Sequence, residues 1–304
     1  MGKKSKRNSG PKPGGARAEK LAQRRAERES ADAVVTRPFA GVAAECDLVA
    51  LREFVPSATA PLPVQGADRE VTLATVLPGA VAALSRENGD ATESFVGVQV
   101  QNFSEDLGAD LAASVEWVKS AAVGDSLSAA NPTSDTPALT SVIAADAQLD
   151  ITVHQNFDWW IPEGMEPAPE VAATVQQANA AIMPSARLNA DGVVAAWWVD
   201  AGEKAHIRWV RPESEDDLML ALARVHAAGN LHLGENSRFA GSFRTHGLLV
   251  PVFDLDPEMH ADEWAPATVE LGNRLAEALA VDAPLTTEER RARDGLRGRQ
   301  ITLR

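Results

Sequence analysis

From residue 38 onward, apolar positions fall into short runs whose rhythm switches between helical and extended spacing. Leu48, Leu51 and Val55 share one helical face, Asp47 can cap it and Pro56 stops it, which predicts a helix over 45–55. Strands are expected at 62–64 and 71–77, around a Gly66-Ala-Asp68 turn, and at 94–101 with Phe95, Val98 and Val100 inward. Ser104 is placed to cap a helix through 121 that points Leu107, Leu111, Val115 and Val118 to the core. Ser, Asp, Asn, Pro and Gly dominate 122–138, which reads as a long loop. Residues 140–144 and 149–154 look like a hairpin, followed by Phe157-Asp-Trp-Trp-Ile161.

The second half runs through a similar order. A helix over 170–182 ends before Pro184, and strands follow at 186–188, 193–199 and 206–210, the last two joined by Asp200-Ala-Gly-Glu203. Ser214 caps a helix carrying Leu218, Leu222 and Val225, then a hairpin of 242–245 and 248–254 turns at His246-Gly247. A helix over about 262–280 closes the body. Both halves thus read α-β-β-β-α-β-β-α. Phe157 precedes Pro169 by 12 positions and Phe253 precedes Pro266 by 13, a weak sign of duplication. The stretch 149–255 also fits a ferredoxin-like β-α-β-β-α-β unit. Either division gives an α+β fold with antiparallel sheets backed by helices. The expected segments are a disordered basic arm over 1–37, α+β halves over 38–166 and 167–283, and a basic C-terminal helix and tail over 284–304.

Composition supports a packed body, with 45% hydrophobic and 24% charged residues. A single cysteine, Cys46, excludes an intramolecular disulfide and a cysteine-based zinc cluster. No apolar run approaches about 18 residues and no apolar stretch follows the basic N-terminus, so neither membrane insertion nor a secretory signal is expected. A cytoplasmic location is the default expectation.

Charge changes the picture most. Residues 1–31 hold ten Lys or Arg against three acids, while the whole chain is −14, which leaves −21 on residues 32–304. Lys3, Lys4, Lys6, Arg7, Lys12, Arg17, Lys20, Arg24 and Arg25 are candidates for contact with a polyanion such as RNA or a ribosome. A solubilising tail without a partner is the competing account. A second run of six Arg lies between Arg290 and Arg304, behind a Thr286–Glu289 capping box. It reads either as a surface helix complementing the acidic body or as a second polyanion contact.

Familiar catalytic patterns are missing: GxxxxGK[ST], GxGxxG, HExxH and GxSxG do not occur, and no two histidines stand four apart. No metal and no cofactor is expected. Cys46, inside a predicted helix, reads as a small core residue. The richest region is 197–254, where Trp197, His206, Arg208, Arg238, Arg244 and His246 fall on or near neighbouring strands. With Trp159 and Trp160 they could line a cleft for an anion or a peptide. The competing account makes the Trp residues core and pairs the Arg residues with nearby acids.

The segments RPFAGVAAECDLVALREFVPSATAPL, FDWW, HIRWVRP, FRTHGLLVPVFDL and APLTTEERRARDGLRGRQITLR resemble an uncharacterised actinobacterial family, a domain of unknown function, over roughly residues 36–304. The resemblance implies relatives that carry an N-terminal SEC-C zinc motif and are labelled SecA-like. Residues 1–31 here contain neither Cys nor His, so no zinc ligand carries over. The resemblance supplies no activity, but suggests basic modules suited to ribosomes or secretion factors. The leading expectation is a non-enzymatic adaptor, whose arm meets a polyanion and whose body binds a protein or peptide. An enzyme or a ligand-binding regulator using the 197–254 cleft is the alternative.

Overall fold

The computed structural model describes residues 36–302, so all but the last two residues of the expected arm lie outside it. Near the start of the described chain, Arg37 donates two hydrogen bonds to the Glu45 carboxylate, at 2.9 and 2.6 Å. Helix α1 (Glu45–Glu53) follows. Glu45, Cys46, Asp47, Leu48, Val49, Ala50 and Leu51 are all buried. Seven consecutive residues cover nearly two turns, so over that stretch α1 has no solvent face.

Sheet 1 consists of β1 (Ala58–Leu62), β2 (Val71–Ala74), β3 (Ala83–Asn88), β4 (Ala91–Gly97), β5 (Ser126–Leu127) and β6 (Thr152–Val153), in the order β5-β3-β4-β2-β1-β6. Helices α2 (Leu107–Val118) and α3 (Leu139–Val142) belong to the same half. Helix α4 (Pro169–Ala180) leads into sheet 2, built from β7 (Ser185–Arg187), β8 (Ala196–Asp200), β9 (Ala205–Trp209), β10 (Ser237–Thr245), β11 (Leu248–Leu255) and β12 (Gln300–Thr302). Its order is β12-β10-β11-β9-β8-β7. Helices α5 (Glu215–Ala227), α6 (Ala265–Leu279) and α7 (Thr287–Arg297) complete the seven α-helices among the described residues.

Two large cores hold these parts together. One joins Leu48, Leu51 and Val55 of the α1 segment to Ala60, Leu73 and Val96 of sheet 1, Val115 of α2, and Trp197, Phe243 and Val250 of sheet 2. Helix α1 therefore sits between the two sheets, and the edge strands β6 and β7 approach each other within 8 Å between Cα atoms. The other core lies on the opposite face of sheet 2. There Ile207, Trp209 and Phe253 meet Leu218 and Leu222 of α5, Leu271 and Leu275 of α6, and Leu296 of α7. Trp209 is central to it: a Cβ on Gly272 of α6 would stand 3.2 Å from the indole ring, so glycine lets that helix approach closely.

The fold is α+β, as expected, but both sheets are mixed. In sheet 1 the parallel pair is β2 with β4; in sheet 2 it is β10 with β12. Five strands of each sheet share one relative order, β5-β3-β4-β2-β1 against β12-β10-β11-β9-β8. Their directions differ because α5 returns the chain between β9 and β10. Between β2 and β3 only a short 3-10 turn, Pro78–Ala80, intervenes. The Phe157 and Phe253 segments occupy different structures: Phe253 lies within β11, while Phe157 precedes a 3-10 turn at Asp158–Trp160.

Several elements differ from expectation. Strand β3, ALSREN, went unpredicted because its buried positions are the small Ala83 and Ser85. Residues 139–142 form a helical turn, not a strand, and only Thr152–Val153 of the expected second hairpin arm is extended. The first strand is Ala58–Leu62, and Val64 makes only an isolated bridge to Ile143. Asp106, not Ser104, caps α2 by accepting hydrogen bonds from the Gly108 and Ala109 amides. Helix α4 has the expected position, but Val175 is its one buried residue.

The shared core predicts that Leu48→Ala costs about 3 kcal/mol, as a leucine deletion in a packed interior does. A urea-unfolding series should show the midpoint fall with the slope unchanged.

Candidate functional site

Polar groups concentrate along α1. Asp47, expected to cap the helix, lies inside it with its side chain 1% exposed, and accepts two hydrogen bonds from Arg187 of β7 at 3.1 and 2.9 Å. Burial pushes the Asp47 carboxyl above its ordinary range, and Arg187 only partly offsets this. One helical turn from the C-terminus, α1 turns to the other sheet. The Gln99 amide donates to the Leu51 and Val55 carbonyls at 2.6 and 2.7 Å, and Arg52 donates to the Val98 carbonyl. The bond to Leu51 satisfies one of the backbone acceptors that a helix end leaves without a partner. Glu53 then reaches His246, in the turn between β10 and β11, at 2.7 Å. Burial opposes ionisation of Glu53, but the hydrogen bond and charge of His246, helped by Arg52, hold its carboxyl below the usual range.

The residues anticipated to share a cleft occupy several distinct environments. Trp159 and Trp160 lie against sheet 1: their indoles donate to Ser57 Oγ and the Val76 carbonyl, and Arg86 grips both of their carbonyls. Trp197 is 1% exposed and belongs to the core around α1. His246 is held by Glu53, and Arg244 donates to Glu215 at the start of α5. The structure does bring His206 and Arg238 together, across Asp254 of β11. Arg238 and Lys204 both donate to one Asp254 oxygen, at 2.6 and 2.9 Å, and hold that carboxyl below its ordinary range although burial opposes this.

His206 Nδ1 stands 3.2 Å from the other Asp254 oxygen, but out of line for a hydrogen bond. Burial also lowers its pKa, so near neutral pH the imidazole is uncharged and that contact is no ion pair. Arg208 lies two residues along the same face. Its guanidinium stacks 5.4 Å above the Phe54 ring, and among the described residues no carboxylate forms an ion pair with it. Beside this group a surface depression of about 470 Å³ is lined by Lys204, Glu235, Ser237, Arg238, Asp254 and Asp256. Its cations and acids nearly balance, so it does not present one sign of charge.

One further contact escaped the sequence. Thr59 Oγ1 stands 2.8 Å from His154 Nε2 across β1 and β6, and the His154 pKa is lowered by burial. A threonine and a histidine 95 positions apart carry no local pattern that could have revealed this. Cys46 behaves as expected of a core thiol: burial, then Glu45 and Asp47, push its pKa up to about 12, which removes the nucleophilic thiolate. Among the described residues no group of three or more His, Cys, Asp or Glu could hold a metal, and no helix is long and apolar enough to cross a membrane. A family model described as a family of unknown function (DUF5926) matches residues 38–304. No curated protein and no solved structure matches the chain.

The Glu53–His246 bond gives a signed pH prediction. Because Glu53 ionises more readily when folded, its contribution is complete above its unfolded value of about 4.3 and fades as pH falls through the lower folded value. Glu53→Gln should therefore lose about 1–2 kcal/mol at neutral pH. Chemical denaturation repeated at falling pH should show that difference shrink below about pH 4.

Proposed function

The chain belongs to the DUF5926 family, and we propose that it is a non-enzymatic adaptor: the arm engages a polyanion and the body binds a protein or peptide. The observation that carries this reading is the charge division, with ten cations against three acids in residues 1–31 and −21 on the rest. An acidic body repels phosphate chains, so affinity for one must come from the arm. The body's own cations are largely occupied. Arg37, Arg86, Arg187, Arg211, Arg238 and Arg244 each sit on a carboxylate. Of the cations in 197–254, Lys204, Arg211, Arg238 and Arg244 pair with acids while Arg208 stacks on Phe54, which favours a binding protein over an enzyme. A cytoplasmic setting, among RNA, ribosomes or secretion factors, fits the same reading. An actinobacterial source with SEC-C-bearing relatives would fit it too, since that motif is another small basic module.

The test compares the full chain with a variant in which Lys3, Lys4, Lys6, Arg7, Lys12, Arg17, Lys20, Arg24 and Arg25 become Gln. If about five phosphate contacts form, log K for single-stranded RNA should fall against log salt with a slope of about −3 to −4. On duplex DNA the slope should be steeper, about −4 to −5. The variant should bind neither, nor ribosomes, with its thermal unfolding unchanged. Equal binding by both proteins, or none by either, would make the arm a solubilising tail.

A further inference from the structure

The outer edge of β10 is filled by the chain's own C-terminal strand. β12 runs parallel to β10 in the register Ser242–Gln300, Phe243–Ile301 and Arg244–Thr302. Among its described side chains, little holds it there. Ile301 is 62% exposed and Arg299 is exposed, so neither contributes a buried side chain. The side-chain anchor is Gln300, whose amide donates at 3.0 Å to the Glu215 oxygen that also accepts from Arg244. Helix α7, just before, is fixed independently by its Thr286–Glu289 capping box and by Leu296, which is 2% exposed. Loss of residues 299–301 would thus uncover an edge without removing a buried side chain.

That edge is shaped to receive a strand. A Cβ on Gly241 would lie 2.6 Å from the Arg299 carbonyl oxygen, so glycine there admits a neighbouring backbone that any other residue would exclude. The Ser242 amide points at the same carbonyl, at 3.4 Å. Ser242 and Phe243 are buried, and beyond the bulge between Phe239 and Gly241 the opposite edge of β10 is paired with β11 from Gly241 to Thr245. Strand addition draws its affinity from main-chain hydrogen bonds, with selectivity set by alternate side-chain positions.

We propose that Gly241–Thr245 is a strand-addition site, occupied in the free protein by residues 299–302 and taken over by an extended segment of a partner protein. This deepens the proposed function, since it rests on the body binding a protein or peptide and names the surface. The chemistry of the present occupant defines the partner. It runs parallel to β10, brings plain backbone past Gly241, and carries an amide or similar donor where Gln300 meets Glu215. The next position faces solvent and accepts any side chain that tolerates a strand.

The probe is a fluorescent peptide of residues 299–304, Arg-Gln-Ile-Thr-Leu-Arg, titrated by anisotropy into the chain ending at Gly298. We expect saturable binding to the shortened chain, at least about tenfold weaker binding to the full chain, and loss of binding in the shortened Gly241→Ala variant. A peptide carrying Ile301→Pro removes a ladder donor without touching the protein and should not bind, which covers the case that Gly241→Ala unfolds. No saturable binding by a shortened chain with unchanged thermal unfolding would overturn the proposal. So would equal binding of the two peptides, or equal binding by the shortened and full chains. RNA binding through the arm, measured on the same shortened chain, reports separately on the proposed polyanion contact.

Discussion

A carboxylate shut between two sheets constrains everything else in this molecule. Asp47 is 1% exposed, and burying a charge costs several kcal/mol unless geometry and hydrogen bonds offset it. Arg187, 140 positions away, meets it with two parallel bonds. The offset is incomplete, because burial still raises the Asp47 carboxyl pKa. The pair is thus better understood as a fixture than as a source of stability: it determines where β7 lies on α1. Removal of one partner would leave an uncompensated charge in the seam, so alternative placements of sheet 2 are excluded. Glu53 with His246 repeats the arrangement at the other end of the helix, and Gln99 and Arg52 tie the same helix to sheet 1.

This seam shapes where the charged residues of 197–254 lie. They lie on a sheet whose one face is pressed partly against α1 and whose other face is covered by α5, α6 and α7. On such a sheet, a cation at the rim is best placed beside an acid, as Arg238 and Lys204 are with Asp254 and Arg244 is with Glu215. The basic arm, by its composition, and the edge of β10, by its geometry, are the two surfaces proposed for partners.

Much of the fold was legible where one face of an element is apolar. The helices α2, α5 and α6, the β8–β9 pair and the β10–β11 hairpin follow from spacing and turn residues, with boundaries shifted by a few positions. Helix α1 was legible as a helix but not as a buried one, because Asp47 and Glu45 in its first turn look like surface acids until their arginines are known. β3 was hidden by small buried side chains, and α4 shows the reverse, an apolar-looking helix that stays largely exposed. The candidate site suffered from the same limit. Alternation correctly put His206 and Arg208 on one face of β9, yet what each one meets, Asp254 or the Phe54 ring, depends on contacts across dozens of residues.

If α1 is the common core of both halves, sheet 1 and sheet 2 cannot open separately. Native-state amide exchange in β2 and β9, followed as urea is raised below the unfolding transition, tests this directly. One free energy and one urea dependence are expected for both strands, equal to those of global unfolding. Exchange of either strand through a smaller opening, with the other still protected, would contradict it.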